Sequence, residues 1–145
     1  MRCTSRHAQR GTAMVEFSIA ATVLLFVLLA ILEFGQALYV QNLVTNGARL
    51  GARYAMVRGS MCTFANCPVT SDDIQTYVRS VSANIDTSQL TVTATWSAVP
   101  ADSCNTAPYK DPGCLVKVVA SYPLQSIGPF RAIAITAQSQ MYISR

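Results

Sequence analysis

Charged residues are scarce in this 145-residue sequence, at 12%, and histidine occurs only once, at His7. No charge of either sign lies between Phe17 and Leu32, where the only polar side chains are Ser18 and Thr22. A buried helix of a globular protein does not explain a charge-free run of this length, whereas a membrane-spanning helix does. The remaining residues have the composition of an ordinary polar domain, large enough to fold around one core.

A basic patch is also lacking, although the formal net charge is +4. Arg2, Arg6 and Arg10 lie in the first ten residues with no acid beside them, and the rest of the chain has eight basic against seven acidic residues. Basic side chains do not alternate with aromatic ones, as single-strand binders require. We therefore expect no nucleic-acid partner and interpret the N-terminal charge as a signal of membrane topology.

The residues needed for a metal site or a catalytic centre are missing as well. No CxxC spacing occurs, and His7 precedes the apolar run while four cysteines follow it, which argues against a zinc site. The acids that follow the run form no spaced pair, and Asp72 and Asp73 suit the start of a helix. We expect neither a cofactor nor an enzyme.

The apolar run divides the chain into four predicted segments. Residues 12–34 form the transmembrane helix, because at ~1.5 Å per residue residues 12–32 alone span ~30 Å. The arginine-rich residues 1–11 are a cytoplasmic leader, so the C-terminal part lies on the other side of the membrane. Residues 35–59 continue the helix outside the membrane, and residues 60–145 form a small disulfide-bearing α+β domain.

The helix extension keeps helical spacing without a proline, and we expect it to end at Gly59. Gly47 and Gly51 have GxxxG spacing, and outside the bilayer this favours close packing on the protein's own sheet over a partner interface. Three arginines are expected on its solvated face: Arg49, Arg53 and Arg58.

The C-terminal domain is predicted to hold a short helix and a three-stranded antiparallel sheet. Thr70 or Ser71 can cap the helix, whose apolar face comprises Ile74, Tyr77, Val78 and Val81. A period-two pattern predicts a strand at residues 89–96, and residues 114–122 and 132–143 are predicted as the second and third strands. The intervening segment 123–130 is expected to be irregular because it contains two prolines.

Four cysteines follow the apolar run, and in an oxidising compartment they predict two disulfides. The sequence leaves three pairings open. Proximity along the chain favours Cys62 with Cys67 and Cys104 with Cys114.

An unusual acid stands where the apolar helix begins, in the segment Gly11-Thr12-Ala13-Met14-Val15-Glu16-Phe17. A carboxylate at the centre of a membrane costs about 2.5–3.5 kcal/mol, and less near the surface. If the chain is cut after Gly11, the new amine of Thr12 offers a positive charge. Glu16 of one helix could then pair with Thr12 of a neighbouring helix.

These residues resemble the class III signal peptide of type IV pilin-like proteins, and the longer segment is similar to the TadE-like family of tight-adherence pilus systems. The similarity lies in three elements: the opening RG-x-A-x-VEF, the second acid-aromatic pair Glu33-Phe34-Gly35, and the segment N-x-AR-x-GARYA from Asn46 to Ala55. It covers about the first 60 residues.

The resemblance implies a membrane-anchored minor pilin or pseudopilin that supports assembly of a Flp-type pilus or a related secretion machine. Gly11 would be the cleavage-site residue, Thr12 the mature N-terminus, and Glu16 with Phe17 the helix-packing pair. The implied partners are the bacterial inner membrane, a prepilin peptidase, other pilins or pseudopilins and the pilus assembly platform. The domain after the helix would be periplasmic.

Several alternatives remain open at this point. The chain could be an uncleaved single-pass membrane protein whose outer domain is a partner-binding module. An ordinary secretory signal is disfavoured, because the site near Gly35-Gln36-Ala37 is weak and Glu16 interrupts the apolar core. The sister groups TadF and TadG share the N-terminal pattern, and the sequence does not separate fibre from base.

Overall fold

The computed structural model describes residues 6–63, 65–82, 85–98, 104, 108–125 and 133–144, with side chains from Thr12 onward. Its elements are, in order, α1 (Arg6–Met56), α2 (Ser71–Val81), β1 (Thr91–Ser97), β2 (Leu115–Leu124) and β3 (Ile133–Tyr142). The chain divides into two compact units, Met1–Gln36 and Ala37–Arg145.

The first unit is the N-terminal part of α1. The two hydroxyl side chains of the charge-free run bond within the helix, since Ser18 Oγ donates to the carbonyl of Met14 at 2.8 Å and Thr22 Oγ1 donates to that of Ser18 at 2.7 Å. Hydroxyls bonded to the preceding turn leave no unsatisfied hydroxyl donor in this run. This stretch of α1 therefore presents an almost wholly apolar exterior.

The second unit contains the rest of α1, the short helix α2 and one antiparallel sheet with strand order β1-β2-β3. Val118 of β2 is the Cα partner of Ala94 on β1 and of Ser139 on β3. The predicted α+β fold, with a long apolar helix, a short helix, three antiparallel strands and cysteine pairs at disulfide distance, is confirmed.

The core of this unit lies between the two helices and one face of the sheet. Alternate residues of β2 are buried, as the period-two pattern predicts for a strand with one covered face. The buried side chains are Val40, Val44, Ala48, Ala52, Ala55, Val69, Ile74, Val78, Leu90, Val92, Ala94, Cys104, Cys114, Val116, Val118, Ala120 and Ile143. Because α1 contributes five of them, the compact unit includes part of the segment that the sequence assigns to a helix extension.

Two glycines let α1 approach its neighbours closely. A Cβ added at Gly51 would lie 3.0 Å from Val78 and 3.1 Å from Ile74 on α2, and 3.2 Å from Val118 on β2. A Cβ at Gly47 would lie 3.1 Å from Val78. The GxxxG spacing thus serves packing within the protein, as the sequence favours.

A capping box fixes the start of α2. Thr70 Oγ1 accepts from the amide of Asp73 at 3.2 Å, and the Asp73 carboxylate accepts from the amide of Thr70 at 3.0 Å. These bonds satisfy amides that the first helical turn leaves without intrahelical partners. Ile74 and Val78 are buried on the inner face, whereas Val81, predicted on that face, is half exposed.

Two element ends differ from the sequence prediction. The helix α1 ends at Met56, three residues before Gly59. Strand β2 continues through Pro123 and Leu124, where an irregular segment was expected. Proline is tolerated at this position because strand β1 begins opposite Ser121, so no β1 partner needs the missing amide of Pro123. Residues 126–130 of the predicted irregular segment lie outside the described residues.

We expect Gly51→Val to destabilise the second unit by about 1–3 kcal/mol, the usual cost of overpacking a core. Thermal unfolding of the full chain in detergent, followed by the fluorescence of the single tryptophan, Trp96, measures the change. Gly35→Val is the matched control, because nothing lies within 4 Å of a Cβ at Gly35. Equal midpoints for the two variants would contradict the close packing at Gly51.

Candidate functional site

The apolar surface of the first unit is the most unusual feature of the described chain. Large side chains on all sides of the helix are exposed, among them Phe17 at 74%, Leu24 at 60% and Phe26 at 67%. Within the part of the chain that the structure describes, one helix is long and apolar enough to cross a membrane, and none of its most apolar stretch is buried. A core helix of a soluble protein would be covered, so this surface indicates a membrane anchor.

The candidate processing and packing residues lie at the N-terminal end of this apolar surface. The backbone of Gly11 is helical, and Thr12 and Glu16 are exposed on α1. They are four residues apart, which places them on the same face one turn apart. Phe17 is the next exposed apolar residue. The helix α1 is continuous through Gly35-Gln36-Ala37, the candidate secretory cleavage site.

Two cysteine pairs lie at disulfide distance in the second unit, in the pairing that sequence proximity favours. Cys104 and Cys114 are both fully buried, with Cα atoms 5.2 Å apart. Cys62 and Cys67 are partly exposed, and their Cα atoms are 5.8 Å apart. The first pair is therefore part of the core, and the second closes a short surface loop.

A strand irregularity positions the buried pair. The amide of Ile143 donates to the carbonyl of Cys114 at 2.9 Å, and the amide of Gly113 donates to the carbonyl of Ile143 at 2.9 Å. Two consecutive residues thus oppose one residue, as in a β-bulge. Gly113 has φ of 91°, a conformation that a side chain would strain.

The surface loop is anchored at both of its ends. Ser60 donates its amide to the carbonyl of Lys110 at 2.9 Å and its hydroxyl to Asp111. After the loop, the amide of Val69 donates to the carbonyl of Arg58 at 3.1 Å, and Val69 is fully buried. The loop is thereby fixed to the core at its base, and its exposed tip contains residues 65 and 66.

Most acids of the second unit that the structure describes have local structural tasks. Hydrogen bonds from the hydroxyl and amide of Thr70 lower the pKa of Asp73, and those from Ser88 lower the pKa of Asp86. Groups with lowered folded-state pKa values stabilise the fold at neutral pH, and this contribution is lost as pH falls through those values. Among the described residues, no three metal-ligating side chains cluster.

An aromatic stack at the end of α1 was not predicted from the sequence. The Tyr54 and Tyr77 rings have centroids 4.2 Å apart and are stacked, with the guanidinium of Arg58 3.8 Å from the Tyr54 centroid. Arg58 is therefore partly buried, contrary to its predicted place on the solvated face, whereas Arg49 and Arg53 are exposed as predicted. Tyr54 and Tyr77 are 23 residues apart in the sequence and lie on different helices, so no local sequence pattern could have revealed the stack.

Residues 11–53 match the family model described as TadE-like protein, which confirms the resemblance over this part of the chain. The match includes Gly11, Thr12, Glu16 and Phe17, and it ends before the short helix and the sheet. No curated protein and no solved structure matches the chain.

We expect loss of the buried disulfide to cost more than loss of the surface one. Cys104→Ala with Cys114→Ala opens a ten-residue separation in the core, at a cost of about 3 kcal/mol. Cys62→Ser with Cys67→Ser is the comparison, at about 2 kcal/mol for a separation of five. Urea unfolding of both full-length variants measures the two losses of stability. A larger loss in the Cys62→Ser, Cys67→Ser variant would contradict the prediction.

Proposed function

We propose that the chain is a membrane-anchored minor pilin or pseudopilin that supports assembly of a tight-adherence (Flp-type) pilus or a related secretion machine. One observation carries the proposal: an apolar helix surface with an acid at its entrance coincides with the match to the TadE-like family over residues 11–53. The family match supports association of the chain with a Tad pilus. The roles of minor pilin and assembly factor are our inference.

The first step of the proposed mechanism is hydrolysis of the peptide bond between Gly11 and Thr12. A prepilin peptidase in the membrane would add water across this bond, leaving a carboxylate on Gly11 and an amine on Thr12. The basic leader, residues 1–11, would remain on the cytoplasmic side and be released. The mature chain would then begin with a positive charge at the edge of its apolar helix.

The second step is pairing between neighbouring helices. Glu16 is exposed one turn after Thr12, so its carboxylate could reach the Thr12 amine of an adjacent helix offset along the axis. Pairing in a low-dielectric environment offsets the desolvation of both charges and fixes the axial offset between helices. Phe17 and the exposed aliphatic residues that follow would supply the apolar contact around that pair.

The second unit would then lie in the periplasm, with the bacterial inner membrane holding α1 before assembly. Two features support this location. Arginines concentrate before the apolar segment, as in cytoplasmic flanks, and two cysteine pairs at disulfide distance suit an oxidising compartment. Other pilins or pseudopilins and the assembly platform would be its partners.

We expect mature protein purified from membranes to start at Thr12 when the chain is co-expressed with its prepilin peptidase. Intact-mass measurement gives the start directly. Gly11→Leu should leave the leader attached, because a bulky side chain would occupy the cleavage-site position. A Met1 start in the unaltered protein would instead favour the uncleaved membrane-tethered binding module.

Glu16→Ala should be cleaved normally but fail to support piliation, because the Thr12 amine of the neighbouring helix loses its partner. Pilus counts by electron microscopy and the intact mass of the same samples separate the two steps. Ser18→Ala is the matched control, since the Ser18 hydroxyl bonds within its own helix and its loss should leave piliation intact. Normal pilus numbers with Glu16→Ala would refute the pairing mechanism.

A further inference from the structure

The two cysteine pairs differ in how easily an external thiol can reach them. Cys62 and Cys67 are partly exposed, and the other described residues from 60 to 68 are all exposed. Cys104 and Cys114, by contrast, are fully buried. The rate at which a thiolate attacks a disulfide depends on access to the sulfur atoms. The surface pair should therefore react in the folded protein, whereas the buried pair should not.

Hydrogen bonds hold the base of the surface loop without help from its disulfide. The amide of Ser60 donates to the carbonyl of Lys110 at 2.9 Å, and the amide of Val69 donates to the carbonyl of Arg58 at 3.1 Å. Val69 is also fully buried. All of these contacts lie outside the ring that residues 62–67 close, so they would remain when the disulfide opens.

Inside the ring, the disulfide is the main constraint on the chain. The amide of Cys62 donates to the carbonyl of Gly59 at 3.3 Å, and among the described residues no other hydrogen bond involves residues 61–67. Asn66 has a φ of 64°, in the left-handed region that few non-glycine residues occupy. Opening the disulfide would therefore free the tip of the loop to change its shape while α1 and α2 stay in place.

The loop also carries no acid that would repel the attacking group, which is a negatively charged thiolate. Residues 59–71 contain no charged side chain. The carboxylate of Asp111 lies at the base of the loop, where it accepts a hydrogen bond from the hydroxyl of Ser60. Arg58, at the start of the segment, is cationic and would attract a thiolate.

We propose that the Cys62–Cys67 disulfide is a thiol–disulfide exchange site, which a dithiol of another protein opens and recloses while the second unit stays folded. One thiolate of the dithiol attacks Sγ of either cysteine, the bond between the two sulfurs breaks, and the released thiolate takes up a proton. A mixed disulfide now joins the two proteins.

The second thiol of the dithiol completes the reaction. As a thiolate it attacks the mixed disulfide, which releases the other cysteine as a thiol and leaves the dithiol oxidised to a disulfide. Two electrons and two protons have then passed to the loop, and the reverse reaction recloses it. A dithiol suits this step because its second thiol acts within the same complex, at high effective concentration. The proposal does not depend on a role in pilus assembly.

Graded reduction of the full chain in detergent tests the difference between the two pairs. In a Cys3→Ser background, dithiothreitol followed by alkylation and peptide mass measurement should label Cys62 and Cys67 together. Labelling of Cys104 and Cys114 should be roughly tenfold slower or more, because their sulfurs become accessible only when the core opens.

Trp96 fluorescence reports whether the fold survives this treatment. Sγ of Cys104 lies 4.0 Å from the carbonyl oxygen of Ser97, the residue after Trp96, so opening of the core should change the signal. The fluorescence should stay constant while the surface pair is reduced.

A trapping experiment tests exchange with a protein dithiol. The probe is a thiol–disulfide oxidoreductase whose second cysteine is replaced by serine, so that the reaction stops at the mixed disulfide. It should form an adduct with the full chain at Cys62 or Cys67, detected by its summed mass. The matched control, Cys62→Ser with Cys67→Ser, retains the buried pair and should form none.

Four results would overturn the proposal. They are equal alkylation rates at all four cysteines, resistance of the surface pair until Trp96 fluorescence reports unfolding, an adduct at Cys104 or Cys114, and no adduct with the disulfide-intact chain.

Discussion

The apolar surface of α1 between Phe17 and Leu32 cannot remain in water, and this constraint governs the rest of the protein. Each large apolar side chain left exposed forgoes about 1.5–3 kcal/mol of burial free energy, and this stretch is made almost entirely of such side chains. Two environments remove them from water: a bilayer, or a bundle of similar helices. The hydroxyls of Ser18 and Thr22 bond within the helix, so the surface suits either environment.

Glu16 distinguishes these two environments. In a bilayer its carboxylate belongs near the headgroups, whereas in a helix bundle a neighbouring amine at Thr12 would neutralise it. If the proposed cleavage after Gly11 occurs, pairing with that amine would offset the cost of burying the acid and would favour transfer from membrane to assembly. The second part of α1 follows a different rule, because from Val40 to Ala55 its small and β-branched residues pack on α2 and the sheet.

Much of the fold could be predicted because its signals are local. A charge-free run predicts the apolar helix, alternation predicts the first strand, apolar stretches between loops predict the other two, and the cap at Thr70 predicts the start of α2. Features that depend on tertiary neighbours could not be predicted. The stack of Arg58 on Tyr54 requires α2 beside α1, and Pro123 fits within β2 only because β1 begins at Thr91.

The candidate site shows the same division. Gly11, Thr12, Glu16 and Phe17 form a short contiguous motif, so the sequence alone could identify it, and the family match covers it. The contacts of Ser71 with the amide of Ala94 and of Arg79 with the carbonyl of Leu90 could not be predicted, because they depend on α2 lying beside β1.

The central proposal is that the membrane anchor in the first unit holds the second unit outside the cytoplasm. The most direct test treats spheroplasts with a reductant that opens the disulfides and then with an added protease. The mass of the fragment that remains in the membrane is measured. The account predicts that residues 37–145 are removed and that a fragment containing residues 12–34 survives. Protection of the second unit until the membrane is dissolved, or complete digestion of α1, would contradict the account.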